Sequence, residues 1–183
     1  NRKSSRYLQL LDQNFYLEQN RYAELVPQNC RQLIGLDYLL LRQEFIDARQ
    51  KLSKKRKHIR RVLVFFGGSD ITNETGKSLA AIIELNDNDL IFDVIIGSGN
   101  KHQKKIKKIV SGIPTANLHI QTENMAELML SADLFIGAGG SVTWERCFLK
   151  LPGIVITLAD NQVQAMKDLE EKEVVYYLGK STD

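Results

Sequence analysis

The chain has 183 residues, 43% hydrophobic and 26% charged, with a formal net charge of +3. These proportions exclude a disordered polyelectrolyte, and no apolar run approaches the roughly 20 residues of a membrane-spanning helix. Two cysteines, Cys30 and Cys147, are too few for a disulfide framework; with no signal peptide in view they read as reduced thiols of a cytoplasmic protein. The first residue is not Met and the pattern starts in midstream, so the sequence reads as a piece of a longer protein.

In chain order, residues 1–61 read as a lead-in segment packing on a main domain at 62–183. A strand is expected at 7–11, running into Asp12-Gln13-Asn14. A short helix at 22–25, a strand or extended stretch at 31–34, a break at Gly35 and an apolar run at 36–41, buried at 39–41, follow, then a helix at 43–52. The segment has no repeat and too little apolar mass for a core of its own. It ends in a basic run, KLSKKRKHIRR at 51–61, and a second cluster, KHQKKIKK, lies at 101–108. Basic runs can mark a nucleic-acid footprint. The first lacks interleaved aromatics and leads directly into a buried strand. The second has Ile106, Ile109 and Val110 on one helical face and lysines on the others. Both read as solvated surface rather than as a nucleic-acid site.

From residue 61 onward strands and helices alternate. Strands are expected at 62–66, 91–96, 118–120, 134–136, 154–157 and 174–177. Helices are expected from about 73 (Leu79, Ile82, Ile83 and Leu85 inward), in the lysine-rich stretch, at 125–130, at 142–149 and at 161–171. Repeated strand–helix units with short connections imply right-handed crossovers and an α/β fold, a Rossmann-like doubly wound parallel sheet of order 3-2-1-4-5-6. Ligands of such sheets bind outside the carboxyl ends of the strands at the switch point. Two glycine turns end the strands that flank it, Gly67-Gly68-Ser69-Asp70 and Gly137-Ala138-Gly139-Gly140-Ser141. Glycines allow close backbone approach to an anion, and Glu145, one turn into the following helix, is within reach of a ribose hydroxyl. A glycine turn after a strand can equally be only a tight connection. Val142, Arg146 and Leu149 share the inner face of that helix.

No catalytic constellation stands out. His58 and His102 sit in basic runs and His119 in a strand, and no Cys or His pair has metal-ligand spacing. Asp70 and Asp160 are strand-end carboxylates within reach of a ligand.

Five stretches together, VLVFFGGSD (62–70), ADLFIGAGGSVTWE (132–145), LPGIVITLADNQ (151–162), LLDQNF (10–15) and GLDYLLLRQEF (35–45), resemble the pseudaminic-acid-pathway UDP-sugar hydrolases and, more distantly, MurG-type N-acetylglucosaminyltransferases. The resemblance implies the carboxyl-terminal, nucleotide-binding domain of a GT-B fold. It also implies an amino-terminal partner domain carrying the catalytic histidine in a glycine-rich loop, so that this chain alone is expected to be inactive. The reaction implied is hydrolysis of a UDP-linked diacetamido-trideoxyhexose, with water attacking the anomeric carbon and UDP leaving, and with no metal or other cofactor.

By the same resemblance, Gly67, Gly68 and Ser69 line the diphosphate side of the cleft. Gly139, Gly140 and Ser141 present backbone donors to the diphosphate, and Glu145 holds the ribose. Asn161 and Gln162 face the sugar or phosphate, and Arg42 matches a substrate-binding arginine. Two other classes stay open: a GT-B glycosyltransferase using the same donor site, and a nucleotide-sugar-binding module fused to another enzyme, such as a cytidylyltransferase.

Overall fold

A computed structural model describes residues 9–18, 20–52 and 58–181. Positions 7–8 of the expected first strand, 53–57 of the basic run and 182–183 lie outside these. Two short strands come first, β1 (Gln9–Asp12) and β2 (Arg31–Ile34), paired in parallel as a separate two-stranded sheet. A single 3-10 turn (Leu36–Tyr38) leads to α1 (Gln43–Gln50), whose Phe45 and Ala48 are fully buried in the main core.

The expected helix at 22–25 is absent. Two isolated turns, closed by Ala23 N–H on Asn20 and Leu25 N–H on Tyr22, take its place, and Leu25 is 76% exposed. Four residues with no buried face cannot repay helix nucleation. Nor is 39–41 buried throughout. Leu36 and Leu40 face solvent, and only Leu39 packs on the core, because the 3-10 turn and the extended backbone after it expose alternate positions.

The main sheet contains β3 (Arg61–Phe65), β4 (Ile91–Ile96), β5 (Ala116–Ile120), β6 (Leu134–Ala138), β7 (Gly153–Thr157) and β8 (Tyr176–Lys180). All adjacent pairs are parallel and the spatial order is β5-β4-β3-β6-β7-β8, the doubly wound order expected from the alternation. The helices α2 (Glu74–Leu85), α3 (Gln103–Val110), α4 (Met125–Ser131), α5 (Val142–Phe148) and α6 (Asp160–Glu171) make the crossovers. On one face Val62, Val64, Val94 and Ile96 pack against Leu79 and Ile82 of α2 and Ile106 and Val110 of α3. On the other, Leu63, Ile95, Phe135 and Val155 pack under α1, α4, α5 and α6. A strand covered on both faces must be apolar at consecutive positions, which is why VLVF and IFDVII show no alternation.

Two inward assignments on α2 fail. Ile83 is 53% and Leu85 59% exposed, because Thr75, Leu79 and Ile82 already define the inner stripe and residue 83 lies one step around the helix from it. The last strand starts two residues later than expected. Val174 N–H bonds back to Leu169 O and Glu173 takes a left-handed φ of 57°, so 173–175 close α6 before the chain extends. Of the basic run, Lys51 pairs with Glu127 at 2.6 Å and Arg61 with Asp93.

Candidate functional site

The switch point falls between β3 and β6, where Phe65 stands opposite Gly137. The turn after β6 is pinned to β7 by a 2.8 Å bond from Gly139 N–H to Ile156 O. Gly139 is buried, and a Cβ there would stand 2.6 Å from Met166 Cγ of α6, so the residue is glycine because the turn lies flat on that helix. The expectation that Gly139 offers its amide to a ligand is therefore corrected: that donor is spent on β7. The amides of Gly140 and Ser141 have no backbone acceptor among the described residues, and Ser141 is exposed.

A polar cavity of about 260 Å³ opens over this turn. Its floor is Gly139, Gly140, Ser141 and Trp144, one wall is Asn161 and Gln162 from the start of α6, and the other is Gln13, Asn14 and Tyr16 from the loop after β1. Two glutamines are oriented by the backbone. Gln162 Oε1 accepts Leu158 N–H at 3.0 Å, and Gln13 Oε1 accepts Leu40 N–H at 2.8 Å. Each carbonyl being occupied, each Nε2 is left as a donor. Asn14 is held harder: its Oδ1 accepts Trp144 Nε1–H at 3.0 Å and its Nδ2 donates to Asp12 Oδ1 at 2.8 Å. Tyr22 O–H donates to Asp12 Oδ2 at 2.6 Å, and that hydrogen bond to a carboxylate pushes its phenol pKa up. The chain Tyr22–Asp12–Asn14–Trp144 thus fastens the β1 loop to α5. With so many oriented donors the cavity suits a ligand rich in acceptor oxygens.

Of the residues singled out in the sequence, this cavity unites Gly139, Gly140, Ser141, Asn161 and Gln162. It does not include Gly67, Gly68 and Ser69, which end the neighbouring strand. Gly68 and Ser69 are exposed there, and the Gly68 backbone is so close to Gly97 that a Cβ on Gly97 would stand 2.7 Å from Gly68 Cα. Nor does the cavity lining include Glu145 or Arg42: Glu145, the residue after the lining Trp144, has its side chain 16% exposed, and Arg42 reaches it with Nε–Oε1 2.8 Å. Asp70 is no ligand carboxylate. It is buried, and its two oxygens accept the Glu74 and Thr75 N–H groups at 2.8 and 3.0 Å, capping α2. Asp160 is exposed and pairs with Lys180 at 2.6 Å.

Gln13, Asn14, Tyr16 and Trp144 are cavity residues that the sequence reading did not select. A usable signal was present: Asp12-Gln13-Asn14 ends a strand of a parallel pair, the position from which such folds present ligand contacts.

Val142, Arg146 and Leu149 face inward, as their spacing predicts. Burial pushes the Arg146 guanidinium pKa down and the Cys147 thiol up, and both cysteines are free thiols. His102 Nε2 lies 3.4 Å from Ile71 O and His119 Nε2 2.9 Å from Asp93 Oδ1. Among the described residues no group of three or more His, Cys, Asp or Glu side chains is placed to hold a metal ion, and no helix is long and apolar enough to cross a membrane.

The model of the glycosyltransferase family 28 C-terminal domain matches residues 61–181. Over 157 residues the chain is 32% identical to the spore coat polysaccharide biosynthesis protein SpsG of Bacillus subtilis (strain 168), covering 84% of this chain and 45% of that protein. Over 169 residues it is 31% identical to the UDP-2,4-diacetamido-2,4,6-trideoxy-beta-L-altropyranose hydrolase of Campylobacter jejuni, covering 91% of this chain and 59% of the hydrolase. The crystal structure of Acinetobacter baumannii MurG superposes with a TM-score of 0.54 at 15% identity, over 74% of this chain and 39% of that one. The chain thus spans about half the length of these relatives. Its fold is that of the carboxyl-terminal half of a GT-B protein.

Proposed function

Because the chain belongs to the glycosyltransferase family 28 C-terminal domain family, we propose that its polar cavity is the nucleotide-sugar site of a polysaccharide-biosynthesis enzyme, with a UDP-sugar as ligand. The observation that carries the reading is the convergence of the Gly140-Ser141 turn with the oriented Gln13, Asn14 and Gln162 amides in one small donor-rich cavity. A diphosphate carries about two negative charges, and backbone and amide donors in a recessed site complement it without a metal.

In this reading Gly140, Ser141, Asn161 and Gln162 hold the diphosphate and sugar. Glu145 takes the ribose hydroxyls, and Gly67, Gly68 and Ser69 close the side of the cleft under β3. The reaction we favour is hydrolysis of a UDP-diacetamido-trideoxyhexose in the cytoplasm, with water as nucleophile and UDP as leaving group. It is supported by the hydrolase relative, which aligns with nearly the whole chain, lead-in included. A partner domain would supply the catalytic base and the opposite wall. It would seat beside β1 and β2, a parallel pair with Leu11 46% and Leu40 69% exposed nearby, because two parallel strands alone are not a stable sheet. Residues 62–183 are then the main nucleotide-sugar-binding domain, and the lead-in at 1–61 completes its site with the wall of Gln13, Asn14 and Tyr16.

Calorimetric titration with UDP tests the reading. Wild type is expected to bind, and Glu145→Ala is expected to bind about 10- to 100-fold more weakly, as one or two charge-assisted bonds worth about 1.5–3 kcal/mol are lost. Equal affinity would remove Glu145 from the site. The chain by itself is expected to release no UDP from a UDP-sugar, since general-base assistance typically worth about 10²–10⁴-fold is not built into the cavity. Release that copurifies with the chain would place the base here.

A further inference from the structure

Arg42 is bound on three sides. Its Nε donates to Glu145 Oε1 at 2.8 Å, its Nη1 lies 2.6 Å from Glu44 Oε1, and its Cζ stands 4.8 Å from the centroid of the Phe45 ring. That ring is fully buried in the core, so the guanidinium rests on a fixed platform. Glu44 is fixed in turn, because its second oxygen, Oε2, accepts Ala126 N–H at the start of α4 at 3.3 Å. A continuous relay therefore runs from the α4 backbone through Glu44 and Arg42 to Glu145. Neither Arg42 nor Glu145 is among the residues lining the polar cavity, and Glu145 directly follows Trp144, which is.

Glu145 has several freely rotating bonds and only the first of its two oxygens engaged. Its Oε2 has no protein partner among the described residues. We propose that Arg42 is a positioning residue, clamping Glu145 through Oε1 so that Oε2 is held out for the ribose of the nucleotide. The inference rests on the UDP-sugar reading above, in which Glu145 is the ribose anchor. A carboxylate already fixed loses less freedom when it binds, which is where the gain in affinity arises. The fork of an arginine is needed because two carboxylates and a ring face must be met at once; a lysine presents one point charge.

The test compares UDP with 2′,3′-dideoxy-UDP by calorimetric titration of wild type, Arg42→Ala, Arg42→Gln, Arg42→Lys, Glu145→Ala and the double variant Arg42→Ala/Glu145→Ala. Wild type is expected to prefer UDP by at least tenfold. Arg42→Ala and Arg42→Gln are expected to lower affinity for UDP about 5- to 20-fold while changing that for dideoxy-UDP less than twofold, with Arg42→Lys between them and wild type. The double variant should bind no more weakly than Glu145→Ala alone, since the two residues act as one unit. Equal loss for both nucleotides, or losses that add in the double variant, would overturn the proposal and make Arg42 a direct contact or a general structural residue. Unchanged binding in all Arg42 variants would overturn it too. Wild type that binds UDP without preferring it over dideoxy-UDP removes the ribose anchor and the clamp with it. Wild type that binds neither nucleotide overturns the functional reading itself.

Discussion

Replacing Gly137 with Ala is expected to cost about 3–4 kcal/mol and to lower the thermal midpoint by about 6–16 °C, at or above the usual range for overpacking. Gly137 is a residue of β6, buried in the centre of the sheet against β3. A Cβ built on it would overlap the Phe65 carbonyl oxygen and stand 2.5 Å from Phe135 Cζ. The first obstacle is backbone, so no side-chain rotation relieves it; β3 and β6 would have to separate where both glycine turns are anchored. Gly68→Ala is the matched control. It ends the neighbouring strand, nothing lies within 4 Å of its added Cβ, and its cost is expected to stay under about 1 kcal/mol. Circular dichroism melts of both variants decide the point. Equal midpoints for the two would show that the sheet yields at Gly137.

That contrast marks how far the sequence could be read. The apolar run at 62–66 and the run at 91–96, apolar but for Asp93, each followed by glycines, were enough for the parallel sheet and its order, because burial on both faces leaves a pattern within a few residues. The two glycine turns look alike in sequence and differ in structure. In one, Gly137 and Gly139 are glycine because a strand and a helix press on them, and in the other Gly68 is in the open. Periodicity carries no trace of such contacts between distant segments. The same limit hid the second wall of the cavity. Asn14 and Trp144 are 130 positions apart and meet only through tertiary packing. It hid the fate of Arg42 as well. Glu44, two residues away, was foreseeable as a partner, but Glu145, 103 positions away, was not. Asp70 misled for a related reason: a carboxylate at a strand end can serve a ligand or the next helix, and only the buried α2 amides show which.

Asp93, which does not line the cavity, is the one charged residue in β4. Its side chain is wholly buried between Arg61 on β3 and His119 and Asn117 on β5. Arg61 Nη2 donates to Oδ1 at 3.2 Å and Nε to Oδ2; His119 Nε2 lies 2.9 Å and Asn117 Nδ2 3.3 Å from Oδ1. Burial by itself would push the carboxyl pKa up, but the hydrogen bonds from Arg61 and His119 outweigh it and hold the group below the usual carboxylate range. A group with a depressed folded pKa contributes stability that is present above its unfolded value, about 3.9, and is lost as pH falls through the folded value. Asp93→Asn is therefore expected to cost about 2–4 kcal/mol at pH 7. The lower end allows for Arg61, whose side chain is 35% exposed and partly screened by water. Urea unfolding at pH 7, 5, 3 and 2 should show the same gap between wild type and Asp93→Asn at the first two values and a shrinking gap at the last two. A gap that persists undiminished to pH 2 would mean that shape, not charge, is what Asp93 contributes. A gap that already closes between pH 7 and 5 would mean that the stability does not follow the Asp93 carboxylate.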